Sequence, residues 1–545
     1  MKKEIIEILK IALLKCQQQN NWENFSVPAY EAEVPKISKF GDYSTNLAMK
    51  LAPILKMNPI EIAEELTKYI DQQFFSKIEI APPGFINLTF KPEYLVNKLS
   101  NILEQKNKYG QSNLGQEKKL QVEFISANPT GPLHLGNGRG GFTGDCLASV
   151  LAFAGYKVKR EYLVNDRGNQ IATLGESVIR RYLQNEGINV DYPEELYRGE
   201  YIRELAKKIK IKDFKIKNVS EIQKVKEEIK IWALEEMLAG IKNVLHDKCK
   251  IKFDRWFSEK SLYEGKLKEE TWAFLLEKEL IYKQDDAWWF KSTLYGDDKD
   301  RVIVKKDGEP TYFFSDILYL ANRLQKRGFD KIIMIWGCDH HGDISRIQAA
   351  AEALGHKGKV DIILYQLVRL IFNGQELKMS KRKGTFVTLE ELVDEVGLDV
   401  VRWFFLMYQV GSHMDFDLNL ARKKSDQNPV YYVQYAHARI CSILKKISNF
   451  KFKISNDDIK NSEVGLLKEL LKFPDLVEEV AQTYETQKLP QYALELARKF
   501  HKFYTECRVI DRNEVIESRL NLIKATKIVI ANNLKLMGIS VPEKM

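Results

Sequence analysis

Cysteine is scarce. The 545-residue chain holds six, Cys16, Cys146, Cys249, Cys338, Cys441 and Cys507, and no two form a CxxC pair. A disulfide-held extracellular scaffold is excluded, and the spacing argues against a cysteine-rich zinc site; buried thiols in a reducing cytoplasm fit it. Long apolar runs are missing as well. Nothing approaches the ~18 uncharged residues that a membrane helix requires. The opening MKKEIIEILKIALLKC carries Lys and Glu through its apolar positions, so it reads as an amphipathic helix and not as a signal peptide. A cytoplasmic chain with no membrane partner is the expectation. The chain also lacks the apolar poverty of a disordered segment, because 44% of its residues are hydrophobic and 29% charged, the balance of an ordinary globular protein.

An excess of one charge is lacking overall: 84 basic residues face 75 acidic ones, leaving +9. The surplus is uneven, since residues 401–545 carry 23 basic and 17 acidic side chains. That concentration favours a polyanionic partner for the last quarter. Length then sets the number of units, because single cores stop growing near ~250–300 residues. Residues 1–112 read as an α+β unit, with Asn58 and Pro59 as helix start signals and FINLTF as a strand after Pro82-Pro83-Gly84. From residue 113 the pattern changes. LQVEFIS, the helix GFTGDCLASVLAFAGY and the strand KVKREYLV make a β-loop-α-β unit of parallel type. A Lys- and Glu-rich helical insertion covers about 178–250, and RVIVKK, KIIMIWG and VDIILYQLVRL then resume the sheet. After Val400 the strand signals disappear, and 413–545 reads as an all-α helix bundle.

Two elements carry chemistry. Between strand and helix lies Ala127-Asn128-Pro129-Thr130-Gly131-Pro132-Leu133-His134-Leu135-Gly136-Asn137-Gly138-Arg139-Gly140-Gly141. Its glycines let backbone approach a ligand, and the helix N-terminus presents unpaired N–H groups to phosphate. Gly136-x-Gly138-x-x-Gly141 with Glu161 twenty residues on also matches the letters of a dinucleotide fingerprint. That reading is disfavoured, because two prolines separate the strand from the first glycine and Glu161 is followed by more strand. The second element, Asn373 to Gly384, places Lys378, Lys381, Arg382 and Lys383 in a glycine-bounded loop after a strand. Such cations can neutralise a triphosphate and follow charge onto leaving pyrophosphate. Asp339-His340-His341-Gly342 suggests a metal at first sight, but adjacent histidines on a loop chelate poorly.

HLGN (His134 to Asn137) with KMSK (Lys378 to Lys381) resembles the paired signatures of class I aminoacyl-tRNA synthetases. VEFISANPTGPLHLGNGRGG, REYLVNDRGNQ, WGCDHHGDISR, GQELKMSKRKGTFVTLEELVDEVGLDVVRWFF and NPVYYVQYAHARI closely resemble arginyl-tRNA synthetases, and GDYSTNLAM resembles that family's extra N-terminal domain. The resemblance covers essentially the whole chain. It departs at Asn137, where the family's first motif usually ends in a second histidine, so any pH dependence belonging to that histidine should be missing.

The resemblance implies a multidomain fold: a Rossmann-like α/β parallel-sheet catalytic domain with an insertion (113–412), an α+β N-terminal domain touching tRNA (1–112), and an all-α C-terminal anticodon-binding bundle (413–545). It implies ATP with Mg²⁺, L-arginine and tRNA(Arg) as reactants and partners, no structural zinc and no other metal held by the protein, and a monomer. Charge stabilisation falls to His134, Lys378 and Lys381, with Gly136, Asn137, Gly138, Met379 and Ser380 completing the ATP site. A guanidinium is a fork of donors with no acceptor, so its pocket needs carboxylates or carbonyls. The family's Tyr-x-x-x-Asp falls on Tyr312 and Asp316, one helical turn apart. Its strand-end asparagine falls on Asn128, beside Ser126 and Ala127, with Glu123 and Asn137 as further contacts. A later family position falls on Asp339 or His340.

Overall fold

The computed structural model describes residues 1–19, 22, 25–35, 37–209, 222–377, 388–447, 451–453, 459–511 and 514–545. Five parallel strands form the central sheet: β1 (Lys119–Phe124), β2 (Lys157–Val164), β3 (Arg255–Ser258), β4 (Lys331–Gly337) and β5 (Val360–Tyr365). Their spatial order is β5-β4-β1-β2-β3. The order reverses between β1 and β4, and in such sheets ligands bind outside the carboxyl ends of the strands at that switch. Helix α1 (Leu135–Phe153) crosses from β1 to β2. It is rich in glycine, which weakens a helix in isolation. Close packing offsets this: a Cβ on Gly144 would stand 2.3 Å from Cγ of Phe124, and one on Gly138 2.7 Å from Cδ1 of Leu389. Two further helices matter to the site, α2 (Tyr312–Ala321) and α3 (Ile344–Ala353), which flank β4 in sequence.

Some segments depart from the sequence expectation. RVIVKK does not join the parallel sheet; Arg301–Val304 pairs antiparallel with Ala287–Phe290, which pairs with Ile281–Gln284 in a separate sheet. VDIILYQLVRL is two strands. It breaks at Gln366 and Leu367, whose carbonyls accept bonds from the buried Arg139 guanidinium, and Val368–Phe372 enters another sheet with Gln375–Glu376 and Met414–Asp417. The inserted helices begin earlier than expected, with Asn169–Asn185, followed by Glu200–Lys208 and Ile222–Asn243. Short strands also occur after Val400, at Met414–Asp417, Lys451–Lys453, Ile510–Asp511 and Glu514–Ile516. At two to four residues they are too short to show an alternating pattern.

The N-terminal unit carries a four-stranded antiparallel sheet against which the helices Lys2–Gln19, Leu47–Leu55 and Pro59–Tyr69 pack. Asn58 does cap Pro59–Tyr69, its side chain accepting from the Ile60 N–H at 2.9 Å. The C-terminal unit is built on five helices from Pro429 to Leu536, and it touches both others. Tyr43 donates to Asp475 at 3.1 Å, and Tyr484 donates to Asp361 on β5 at 2.7 Å.

Arg402 ties three of these parts together. Its guanidinium, 1% exposed, donates to Asp145 on α1 (2.8 Å), to the Cys249 carbonyl at the end of the insertion (2.8 Å) and to the Met537 carbonyl after the last helix (3.1 Å). A Cβ on Gly538 would stand 2.3 Å from Nη1, so this close approach requires glycine. Removing one partner of a buried ion pair is far more damaging than replacing both. Arg402→Leu is therefore expected to lower stability by about 3–5 kcal/mol, read as a shift in the urea midpoint.

Candidate functional site

β1 ends in two residues of left-handed backbone, Ile125 (φ 70°) and Ser126 (φ 38°). This turn throws Ala127 and Asn128 over the carboxyl end of the sheet and delivers His134 to the start of α1. Ser126 Oγ fixes the turn by donating to Glu123 at 3.1 Å and accepting from the Leu163 N–H at 3.1 Å. Asn128 accepts from Asn165 at 2.6 Å, and Tyr162 donates to the Ala127 carbonyl at 2.9 Å. From the insertion, Tyr201 donates to the Thr130 carbonyl at 2.7 Å, so the inserted helices hold the loop from above.

His134 is the N-cap of α1. Its Nδ1 accepts from the Gly136 N–H at 3.1 Å, while Asn137 Oδ1 accepts the His134 N–H at 3.0 Å, forming a reciprocal capping box. In a neutral ring this leaves the proton on Nε2, making that atom a donor. Asn137 is buried and its carbonyl oxygen is engaged in the cap. Lys378, Met379, Ser380 and Lys381 lie outside the described residues. The strand that leads to them ends at Glu376, and the chain resumes at Thr388, which bridges His134, with the Leu389 N–H donating to the Leu133 carbonyl at 2.9 Å.

These groups border one cavity of about 1490 Å³. His134, Gly136, Asn137, Glu123, Ser126, Ala127, Asn128, Tyr312, Asp316, Asp339 and His340 all line it; Gly138 faces Leu389 instead. Tyr312 and Asp316 project from the same face of α2, Tyr312 being 66% exposed and Asp316 deeper. Asp339 and His340 share the short helical turn Cys338–Asp343 beyond β4, where His340 Nδ1 stands 3.2 Å from Asp343.

Among the described residues, the wall carries seven acidic side chains against three arginines, a balance that suits a cationic group on that side of the cavity. Glu123 is not one of its open acids. It is 3% exposed and pairs with Arg323 at 2.7 Å, and burial nonetheless pushes its carboxyl upward, against the pull of that guanidinium. Asp316 is different. Its nearest cation, Arg346, is committed to Asp343 at 3.0 Å and remains 3.8 Å away. Burial therefore dominates and pushes Asp316 up to about 7, with Arg346 opposing and Glu259 reinforcing. What is left of its exposure opens on the cavity.

Sequence reasoning missed Glu259, a buried acid on the same wall whose carboxyl is also raised by burial, and the Asp343–Arg346 pair. Glu259 follows a four-residue strand that lies beyond the long insertion, and no spacing marks it. Arg346 sits in WGCDHHGDISR, three residues after Asp343, a spacing that signals an intrahelical pair. Among the described residues, no group of three or more His, Cys, Asp or Glu side chains is placed to hold a metal.

Residues 98–401 match the family model described as tRNA synthetases class I (R), catalytic domain. Residues 3–90 match the arginyl tRNA synthetase N terminal domain, and 433–545 the DALR anticodon binding domain. A Bacillus velezensis protein named arginine–tRNA ligase is 45% identical over 556 residues, covering all of this chain and 99% of that protein. A Bacillus subtilis protein of the same name is 44% identical over 560 residues, with the same coverage. The structure of Thermus thermophilus arginyl-tRNA synthetase superimposes with a TM-score of 0.77 at 20% identity, over the full length of both chains.

The cap geometry makes its own prediction. Asn137→Ala removes one of two reciprocal bonds and should cost about 1 kcal/mol of stability. Asn137→Asp keeps the acceptor oxygen at a helix N-terminus, where negative charge is favourable, and should recover most of that loss in the same denaturation series.

Proposed function

We infer the roles of individual residues from a firm premise: this chain belongs to the arginyl-tRNA synthetase family. Its activity is ATP-dependent ligation of L-arginine to tRNA(Arg) through an arginyl-adenylate, releasing AMP and pyrophosphate. The substrate carboxylate attacks the α-phosphorus of ATP, forming the mixed anhydride as the bond to the β-phosphate oxygen breaks. A hydroxyl of the terminal adenosine of tRNA then attacks the carbonyl, and AMP leaves; class I membership points to the 2′-hydroxyl. No covalent enzyme intermediate is needed, so catalysis rests on positioning and charge stabilisation.

The observation that carries the assignment is Asp316, a half-buried carboxylate whose ion-pair partner Arg346 stands 3.8 Å away and is shared with Asp343, one helical turn from Tyr312 and across the cavity wall from the His134-capped helix. It suits the guanidinium of arginine. Asn128, Ser126, Ala127 and either Asp339 or His340 serve the amino-acid end. Glu123 serves the guanidinium from beneath, within its own ion pair. At the N-terminus of α1, His134, Gly136 and Asn137 serve ATP through the positive end of the helix and the histidine Nε2 proton, with Gly138 behind them, packed against Leu389. Lys378 and Lys381 belong to the phosphates; their segment returns to the described chain against His134. Mg²⁺ arrives on the ATP phosphates. Residues 1–112 and 413–545 hold tRNA away from the chemistry, the bundle at the anticodon. A cytoplasmic monomer completes the reading.

The test is charging of bulk tRNA with each of the twenty amino acids in turn, with tRNA present throughout; use of another amino acid in preference to arginine would remove the assignment. Within that assay, Lys381→Ala should lower the activation rate about 10²–10³-fold with little change in arginine KM, as measured by pyrophosphate exchange. Asp316 gives a pH signature. A bound guanidinium stabilises the ionised carboxylate, so the complex binds fewer protons than the free enzyme. Arginine affinity should thus be flat above about pH 7 and fall toward tenfold per unit below it. Asp316→Asn should remove that dependence and cost ~2–5 kcal/mol in arginine binding; calorimetric titration across pH 5.5–8.5 reads both.

A further inference from the structure

A guanidinium is already buried beside the arginine pocket. After α2 the chain makes a single wide turn, Asn322–Lys326, and this aims Arg323 back at the sheet. Its side chain is 1% exposed. Nη1 donates to Glu123 Oε2 at 2.7 Å and to Gln121 at 3.4 Å, Nη2 lies 3.8 Å from Met334 Sδ, and the group stacks on Tyr319 with Cζ 3.7 Å from the ring centre. Glu123 reaches the cavity from the other side of this contact.

Glu123 has other charged neighbours. Glu161 stands opposite it on β2, itself held by Arg327 and by Tyr319 Oη at 2.7 Å. Asp316 and Arg323 face it from α2 and its extension, and Ser126 donates to Oε1 from the strand end. Without Arg323, burial and Glu161 would both favour a protonated Glu123. A protonated carboxyl is a donor, and a guanidinium offers only donors. The two would repel where they should join.

We propose that Arg323 is a positioning residue for amino-acid selection: it acts through Glu123, holding that carboxylate ionised and turned so that the cavity floor offers an incoming guanidinium only acceptors. The inference rests on the reading of this cavity as the arginine subsite. It also predicts what a weakened floor would admit. Citrulline replaces one guanidinium nitrogen by an oxygen that accepts a hydrogen bond, so a protonated Glu123 would welcome it.

The experiment measures pyrophosphate exchange with tRNA present, on arginine and on citrulline, for the parent, Arg323→Met, Arg323→Lys, Glu123→Gln and the double variant Arg323→Met/Glu123→Gln. Arg323→Met should raise arginine KM roughly 10–100-fold while ATP KM stays within about threefold, and the preference for arginine over citrulline should narrow. Arg323→Lys, which keeps the charge, should lie closer to the parent. The double variant should be no worse than Glu123→Gln alone, because two residues acting through one contact are not additive. If Arg323→Met does not fold, the double variant, which leaves no unpaired buried charge, and the lysine variant carry the test. An unchanged citrulline preference, equal losses for arginine and ATP, or losses that multiply in the double variant would overturn the proposal. A parent enzyme indifferent to arginine would instead overturn the subsite reading beneath it.

Discussion

Two carboxylates lying side by side under a parallel sheet set the geometry of the site. Glu123 and Glu161 are register partners on β1 and β2, and like charges so placed in a dry interior repel unless cations are driven between them. Arg323 and Arg327, four residues apart on the extension of α2, supply those cations. Four charges, three of them buried, are satisfied together at the rotation that α2 adopts. That rotation is the one that turns Tyr312 and Asp316 into the cavity, so the face presented to the substrate is fixed from behind.

The opposite wall is fixed by backbone. α1 starts where it does because His134 and Asn137 cap each other's backbone, and it lies against β1 because glycines occupy the contact. The same short stretch, Leu133 to Arg139, also receives the chain on both sides of the basic segment. Thr388 and Leu389 pair with it, while the Arg139 guanidinium collects the carbonyls of Gln366, Leu367 and, at 2.9 Å, Gln409. Where the family usually has a second histidine, this chain has an amide whose oxygen accepts the His134 N–H in the cap.

Sequence alone made much of this legible because the informative features are local. A glycine-rich strand-to-helix turn and a lysine cluster after a strand can each be read within a dozen residues, whereas the Tyr-x-x-x-Asp pair is marked by the family resemblance, since alone Asp316 reads as a helix N-terminal charge. The parts that escaped are those made by distance. Glu259 and the Asp343–Arg346 pair gain meaning only when β3, α2 and α3 converge. VDIILYQLVRL reads as one strand because nothing local announces that Arg139, 227 residues earlier, will bond Gln366 and end it. RVIVKK was alternately apolar enough for any sheet, and only its antiparallel neighbours decide which. Glu123 was legible as an acid near the pocket, but its guanidinium partner lies 200 residues away.

Arg402 adds a matter of timing. Its guanidinium waits for the carbonyl of Met537, 135 positions further along the chain. At ~5–20 residues per second, synthesis takes on the order of ten seconds to cover that stretch. Through this interval the α/β unit exists with its sheet and α1 complete in sequence, yet with a buried cation still short of one acceptor and the last helix absent from its flank. A nascent catalytic unit of this design is thus a client of its own C-terminal helix. The buried contact set of Arg402 is complete when that helix arrives, and not when the strands of the sheet have left the ribosome.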